Sequence, residues 1–222
     1  MGLFSKKEAC PICGGEVKGF FLTKIGDKKT LCKTCSVQVS MNKELLQTAT
    51  SEFIKEHLEY RRKNAKKYAT HDWKVKITSI PGLTFGLDEA GEAIYLIHDD
   101  LHDDSVNPVV FSFDQLTGYE FFRGKKRLDG MEDRGVIPLE TTLSALGGVA
   151  QALNNGKIDS PDTFHLKLNT TDPYWGEIDL KIDFTGNQLH GFDGFGEDMQ
   201  EVCQMIKSII RKEPVFYAPQ FR

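Results

Sequence analysis

Apolar and polar positions follow three rhythms along this chain. Between residue 37 and about residue 68 the spacing is helical. Val37, Met41, Leu45 and Leu46 share one side of a first segment, which begins at a cysteine pair. After a break at Thr48-Ala49-Thr50-Ser51, rich in N-cap residues, a second helix is predicted over about Glu52–Tyr68. Its partial stripe is Phe53, Ile54, His57, Leu58 and Tyr60 or Arg61, and Glu59 stands four residues before Lys63, a favourable spacing for an ion pair. From Asp72 the period falls to two. Trp73, Val75 and Ile77 alternate with Lys74, Lys76 and Thr78, and Pro81-Gly82 marks a turn. Leu83, Phe85 and Leu87 lead through Asp88-Glu89-Ala90-Gly91 into Ala93–Ile97, the pattern of a hairpin. Val109–Phe113 and Gly118–Arg123 predict two more strands. Phe164–Leu168 and Ile178–Phe184 predict an antiparallel pair connected through Asp172-Pro173-Tyr174-Trp175-Gly176. The last rhythm is helical again. Met199, Val202, Cys203, Ile206, Ile209 and Ile210 fall on one side of a helix over about Asp198–Arg211, stopped by Pro214.

About seven strands and a terminal amphipathic helix predict an α+β chain. Residues 72–222 are expected to form a strongly bent antiparallel sheet with its open end capped by the helix, a pleckstrin-homology-like domain; a generic α+β sandwich is the alternative. Residues 1–48 are expected to be a separate small domain and residues 49–71 a helical linker. The stretch from Val136 to Leu153 interrupts the strands. It is apolar and rich in small residues, and it reads as an insertion helix weakened by Gly147-Gly148. No basic cluster flanks it, which disfavours a membrane-surface role.

The small N-terminal domain is marked by chemistry rather than by periodicity. Four of the five cysteines, Cys10, Cys13, Cys32 and Cys35, form two Cys-x2-Cys pairs separated by 18 residues. Two thiolates three residues apart on a tight turn can hold one side of a tetrahedral ion, and a second pair returned by a hairpin can close the other side. Pro11 fixes the first knuckle, and Gly14-Gly15 behind it lets backbone N–H groups turn toward sulfur. Glu16–Thr23 and Lys29–Leu31, with a turn at Ile25-Gly26-Asp27, supply the hairpin. A second pair that opens a helix is the treble-clef order, whereas a zinc ribbon would place a strand there. Disulfides are disfavoured because Met1–Lys7 lacks the apolar core of a signal peptide, so a cytoplasmic location with reduced thiols is expected. A redox Cys-x-x-Cys motif usually stands alone beside a βαβ pattern. The expected cofactor is therefore one structural zinc ion, with four sulfur ligands that close its coordination sphere. Cys203, on the apolar side of the last helix, reads as a buried small hydrophobe.

Composition adds one contrast. The chain has 222 residues, 40% hydrophobic and 27% charged, which excludes collagen, a coiled coil and wholesale disorder. The net charge is −4, but residues 1–70 carry 14 Lys/Arg against 7 Asp/Glu and the remainder 14 against 25. The basic end contains Arg61-Arg62-Lys63-Asn64-Ala65-Lys66-Lys67, which reads first as a solvated helix face with cations near the C-terminal end of the dipole. Its functional alternative is a patch for an acidic protein surface or for nucleic acid, the latter bound by Lys24, Lys28, Lys29, Lys33, Arg61, Arg62, Lys66 and Lys67, with Phe20 or Phe21 stacking on bases.

The acidic end contains His98-Asp99-Asp100-Leu101-His102-Asp103-Asp104. Its histidines and carboxylates suggest a divalent-cation site, but Ser105, Asn107 and Pro108 follow, and a solvated acidic loop is the expected reading. Gly191-Phe192-Asp193-Gly194-Phe195-Gly196 lacks a P-loop lysine and reads as a turn and helix entry. The aromatic tail Val215–Phe221 is expected to pack on its own domain or on a second chain. No stretch reaches the ~20 apolar residues of a membrane span. Lys6 stands where a myristoylation signal needs Ser or Thr.

Met1-Gly2-Leu3-Phe4, Cys10-Pro11-Ile12-Cys13-Gly14 and Leu31-Cys32-Lys33-Thr34-Cys35 resemble a family of uncharacterised bacterial and phage proteins that begin with a four-cysteine domain. Ser51–Asn64, Val110–Glu120 and the strands around Asp172-Pro173-Tyr174-Trp175 are similar to later parts of the same family. The resemblance covers most of the chain, sparsely outside the cysteines. It implies zinc at the four cysteines and a cytoplasmic bacterial protein, and it implies no catalytic residues. The expected function is a zinc-stabilised, non-enzymatic interaction protein that docks a protein or peptide. The alternatives are nucleic-acid binding by the basic end and a metal-dependent hydrolase using the acidic loop. The −11 half argues against anionic lipid headgroups.

Overall fold

The computed structural model describes residues 8–18, 22–41, 43–78, 80, 82–101, 106–132, 163–183 and 192–218. The insertion predicted between Val136 and Leu153 lies outside these residues, as do Phe20, Phe21 and His102–Asp104. The fold is mixed α and β with antiparallel sheets. It divides into two compact units, one of residues 1–71 with 95–110 and the other of residues 72–94 with 111–222.

In the first unit, strands β1 (Thr23–Lys24) and β2 (Thr30–Leu31) pair antiparallel, as the hairpin pattern predicts. The turn between them is closed by Ile25 N–H donating to the Lys29 carbonyl (3.0 Å), and Lys28 takes the left-handed conformation (φ +62°). Gly26 is required here. Its N–H donates to the Ala49 carbonyl at 2.7 Å, and a Cβ at this position would collide with the Thr48 carbonyl. The expected helical run from Cys35 through Leu46 is broken into two short helices, α1 (Lys33–Ser36) and α2 (Lys43–Thr48). Val37, expected on the apolar side, is 71% exposed. Between the two helices Ser40 N–H donates to His57 Nε2 (3.3 Å) rather than to a helical carbonyl, and Val39 and Met41 are buried beside it.

Helix α3 runs Ser51–Thr70, with Thr50 as its N-cap accepting from Phe53 N–H at 3.2 Å. Its buried side is Ser51, Ile54, His57, Leu58, Arg61 and Asn64. Glu59 pairs with Arg62 at 3.1 Å, one position short of the expected Lys63. Helix α3, expected as a linker, therefore shares a compact unit with the cysteine module.

Strands β3 (Val75–Ile77), β4 (Thr84–Asp88), β5 (Ala93–Ile97) and β6 (Val109–Ser112) form one sheet in sequence order. The β4–β5 turn is held by Asp88, whose carboxylate accepts from Gly91 N–H (2.9 Å) and Asp72 N–H (3.0 Å). Phe113, expected in the strand, begins a 3-10 turn instead, because Ser112 and Gln115 cap each other reciprocally.

The second sheet has the order β10-β9-β7-β8, from β7 (Leu116–Arg123), β8 (Lys126–Glu132), β9 (Thr163–Thr170) and β10 (Glu177–Asp183), all antiparallel. On one face the pairs Tyr119↔Leu168, Phe121↔Leu166 and Leu180↔Leu166 stack apolar on apolar. Asp172 shapes the β9–β10 connection by accepting from Tyr174 N–H (2.9 Å) and Trp175 N–H (3.2 Å). Helix α4 (Phe192–Arg211) begins before the expected Asp198 and packs against β7 and β8. All six residues of its predicted apolar side are buried. Cys203 is among them, and burial pushes its thiol up to about 12. Of the aromatic tail, Val215 is buried and Ala218 N–H donates to Glu201 Oε1 (2.6 Å), whereas Phe216 is 80% exposed. No helix among the described residues is long and apolar enough to cross a membrane.

Candidate metal centre

The first knuckle is built by backbone hydrogen bonds. Gly14 N–H donates to the Cys10 carbonyl (2.9 Å) and Cys10 N–H to the Gly15 carbonyl (2.8 Å), with Gly14 at φ +71°. Val17 N–H donates to the Glu8 carbonyl (3.0 Å) and closes the ends of the loop. In the second knuckle Cys32 is the N-cap of α1 and Cys35 lies within it, with Cys35 N–H donating to the Cys32 carbonyl at 3.1 Å. Thr23 Oγ1 and Ser36 Oγ are hydrogen-bonded at 2.6 Å, which pins the hairpin against α1.

These elements bring the four sulfur atoms within 4.8 Å of one another. Cys13 Sγ and Cys32 Sγ are 3.6 Å apart. A disulfide needs about 2.05 Å. Four sulfurs at ~2.3 Å from a shared ion stand about 3.8 Å apart on the edges of a tetrahedron. The cluster thus has the dimensions of a single-ion site, and four clustered thiols can hold a metal ion. Three ligands are buried and Cys13 is exposed. Gly15 N–H points at Cys13 Sγ (3.4 Å), the backbone-to-sulfur bond that the glycine pair predicts. Burial opposes ionisation of Cys10, but backbone N–H groups of Cys32, Cys13 and Ile12 outweigh it and bring the thiol down to about 6. Burial, followed by the neighbouring thiols, holds Cys35 well above the ordinary range. Metal binding requires the thiolate form of each ligand, so affinity for an ion here falls as pH falls.

The candidate phosphate-binding cations divide. Lys24, Lys28, Lys33, Arg62 and Lys66 are exposed, and Lys67 is half-buried. Arg61 is only 6% exposed; its Nη2 donates to the Asn107 carbonyl, and Asn107 Nδ2 donates back to the Arg61 carbonyl (3.1 Å). Lys29 Nζ lies 3.1 Å from both Asp27 Oδ2 and Ser51 Oγ. Asp27 also accepts from Ser51 N–H (3.1 Å) and the Ser51 hydroxyl, and these bonds, the hydroxyl first, hold its carboxyl far below the usual range. Lys29 and Arg61 therefore serve internal contacts.

In the described part of the acidic loop Asp99 and Asp100 are exposed, whereas His98 is buried, and its Nδ1 accepts from Asp100 N–H (3.1 Å) within a 3-10 turn over Asp99–Leu101. Among the described residues the four cysteines are the sole group of three or more His, Cys, Asp or Glu side chains placed to share an ion. Sequence reasoning missed two features. One is the pair His57–Ser40, which ties α3 to the cysteine module. The other is the run Arg123-Gly124-Lys125-Lys126-Arg127, visible in the sequence as cations within an acidic half.

No family model, curated protein or solved structure matches this chain.

Proposed function

We propose that the chain is a zinc-stabilised, non-enzymatic interaction protein of the reducing cytoplasm, with the domains 1–48, 49–71 and 72–222. The observation that carries this reading is the cluster of four sulfurs within 4.8 Å. An all-sulfur tetrahedral donor set suits zinc or iron, and with every ligand supplied by protein there is no open position for substrate, so the ion is structural. The treble-clef reading is supported by Cys32 and Cys35 opening α1 rather than a strand. The pleckstrin-homology-like reading of residues 72–222 is supported by consecutive antiparallel strands followed by a terminal amphipathic helix, here eight strands in two sheets. The docked ligand in this reading is a protein or peptide.

The metal half is tested by elemental analysis of the purified full chain. One zinc per chain is expected, lost together with the fold of residues 8–48 in Cys10→Ser/Cys13→Ser. A metal-free, stably folded wild type refutes it. A second reading, phosphate contact by the first unit, is favoured by the exposed cations Lys28, Lys33, Arg62 and Lys66.

A further inference from the structure

In the sulfur cluster Cys10, Cys32 and Cys35 are buried, and Cys13 is exposed. We propose that the cluster is a peroxide-responsive switch, in which oxidation of Cys13 and its closure onto Cys32 as a disulfide releases the metal ion. The proposal rests on the zinc reading of the four cysteines and adds the regulation of that site.

Access selects the first sulfur. A metal-bound cysteine is held as thiolate, the nucleophilic form, so among four ligands the exposed one reacts first. The chain around Cys13 leaves its sulfur open. A Cβ added at Gly14 would meet nothing within 4 Å, and one added at Gly15 would stand 3.2 Å from Cys13 Sγ. Two glycines therefore keep the approach to this sulfur free of side chains. Contact selects the second sulfur. Cys32 Sγ is 3.6 Å from Cys13 Sγ, and a bond at about 2.05 Å needs a closure of roughly 1.5 Å. Cys32 is the N-cap of α1 with extended backbone (φ −71°, ψ 159°), so its side chain can turn without unwinding a helical residue, whereas Cys35 lies within α1. Cys10 is fixed on both sides, its N–H by the Gly15 carbonyl (2.8 Å) and its carbonyl by Gly14 N–H (2.9 Å).

The oxidant is a hydroperoxide, hydrogen peroxide in its simplest form. The Cys13 thiolate attacks one peroxide oxygen, the O–O bond breaks, and Cys13 sulfenic acid and one hydroxide result. The Cys32 thiolate then attacks the Cys13 sulfur, which forms the S–S bond and expels a second hydroxide. Each hydroxide takes a proton from solvent. Two thiolates, one peroxide and two protons thus become one disulfide and two waters, with the sulfurs oxidised by two electrons and the peroxide reduced by two.

Cys10 and Cys35 are then the remaining ligands, and a structural site of this kind needs four. Metal binding supplies the folding free energy of so small a module, so residues 8–48 lose their fold with the ion. A thiol reductant reverses the change by exchange at the disulfide. Cys203 is the contrast within the chain. It is buried, and burial pushes its thiol up to about 12, so it has neither the access nor the ionised form and stays reduced.

The test uses the full chain, purified with its metal, freed of reductant and treated with one equivalent of hydrogen peroxide. A chromogenic chelator follows zinc release, and peptide mass mapping after alkylation locates the oxidised pair. One zinc is expected per Cys13–Cys32 disulfide, with Cys10, Cys35 and Cys203 alkylated, and dithiothreitol should restore zinc binding. Cys13→His keeps four zinc ligands without the reacting sulfur, and it should release zinc about tenfold more slowly. Gly15→Ala keeps all four cysteines and sets a methyl group against Cys13 Sγ; it should slow release about threefold, and it carries the comparison if Cys13→His does not load. A zinc-free, folded wild type overturns the zinc reading and the proposal with it. A loaded wild type that keeps its ion under peroxide, a Cys10–Cys13 disulfide in place of Cys13–Cys32, or release from the variants at the wild-type rate overturns the proposal alone.

Discussion

Replacing Asn64 by alanine should destabilise the protein by about 3 kcal/mol, through backbone groups that the side chain satisfies. Asn64 is on the buried side of α3 and faces β6. Its Oδ1 accepts from Val110 N–H (3.0 Å), and its Nδ2 donates to the Pro108 carbonyl (2.6 Å) and to Asn107 Oδ1 (2.6 Å). Val110 N–H in β6 and the Pro108 carbonyl just before it, two residues apart, meet this one amide on the same edge. The amide of Asn64 thus pairs with them as a neighbouring strand would, and it closes an edge that is otherwise a template for another chain. Val110 is 2% exposed and Pro108 is buried, so water cannot take over either group. Each buried unsatisfied group costs about 1–3 kcal/mol. The site cannot collapse to relieve them, because Arg61 and Asn107 exchange hydrogen bonds beside it. Urea denaturation of wild type and Asn64→Ala at unchanged m value measures the difference, and amide exchange reports Val110 directly. Asn64→Asp should be no less damaging at pH 7, since a carboxylate sets an acceptor against the Pro108 carbonyl. It should recover partly in acid, when the protonated carboxyl can donate. A loss below 1 kcal/mol in Asn64→Ala, or unchanged Val110 protection, would refute the argument.

Three further outcomes are expected. His57 is fully buried, and burial first, then the Arg61 charge, lower its pKa to about 4. A depressed base stabilises the fold above its unfolded value of about 6.5, so wild type should lose up to about 3 kcal/mol as pH falls from 6.5 to 4, and His57→Gln should lack that component in urea melts across the range. Gly26→Ala drives a methyl group into the Thr48 carbonyl and should cost about 2 kcal/mol by thermal melting, while Gly14→Ala should act through its left-handed backbone alone. Chelation of the metal should disorder residues 8–48 on circular dichroism and amide exchange yet leave α4 protected, because Met199, Val202 and Ile206 are buried in the other unit.

The features legible in the sequence are those whose cause is local or strongly one-sided. Cysteine spacing encodes ligand geometry directly. In α4 helical phase alone identifies six buried residues, missing only Met205 among the buried hydrophobics of the described part, and β9 and β10 alternate apolar and polar residues in sequence. The misread positions are those where a charged residue serves an internal partner. Arg61 looks like one cation in a solvated run, but helical phase places it with Ile54, His57, Leu58 and Asn64 on the inner side, and its carbonyl partner is 46 residues away. His98 sits among carboxylates, yet its ring is buried against a turn of its own backbone. Strand β8, Lys-Arg-Leu-Asp-Gly-Met-Glu, has no apolar alternation to announce it, because it is an edge. A bulge opposite Phe121 and Phe122 leaves Leu128 46% exposed. The break between α1 and α2 contains Ser40, which bonds His57 seventeen residues on, a contact no local pattern records.

The same distinction between average and local cause applies to charge. Beyond residue 70 the chain is acidic by eleven charges, which on its face predicts repulsion from any polyanion. Screening confines that repulsion to about 8 Å at physiological salt, so an approaching phosphate responds to the side chains it meets and not to the total.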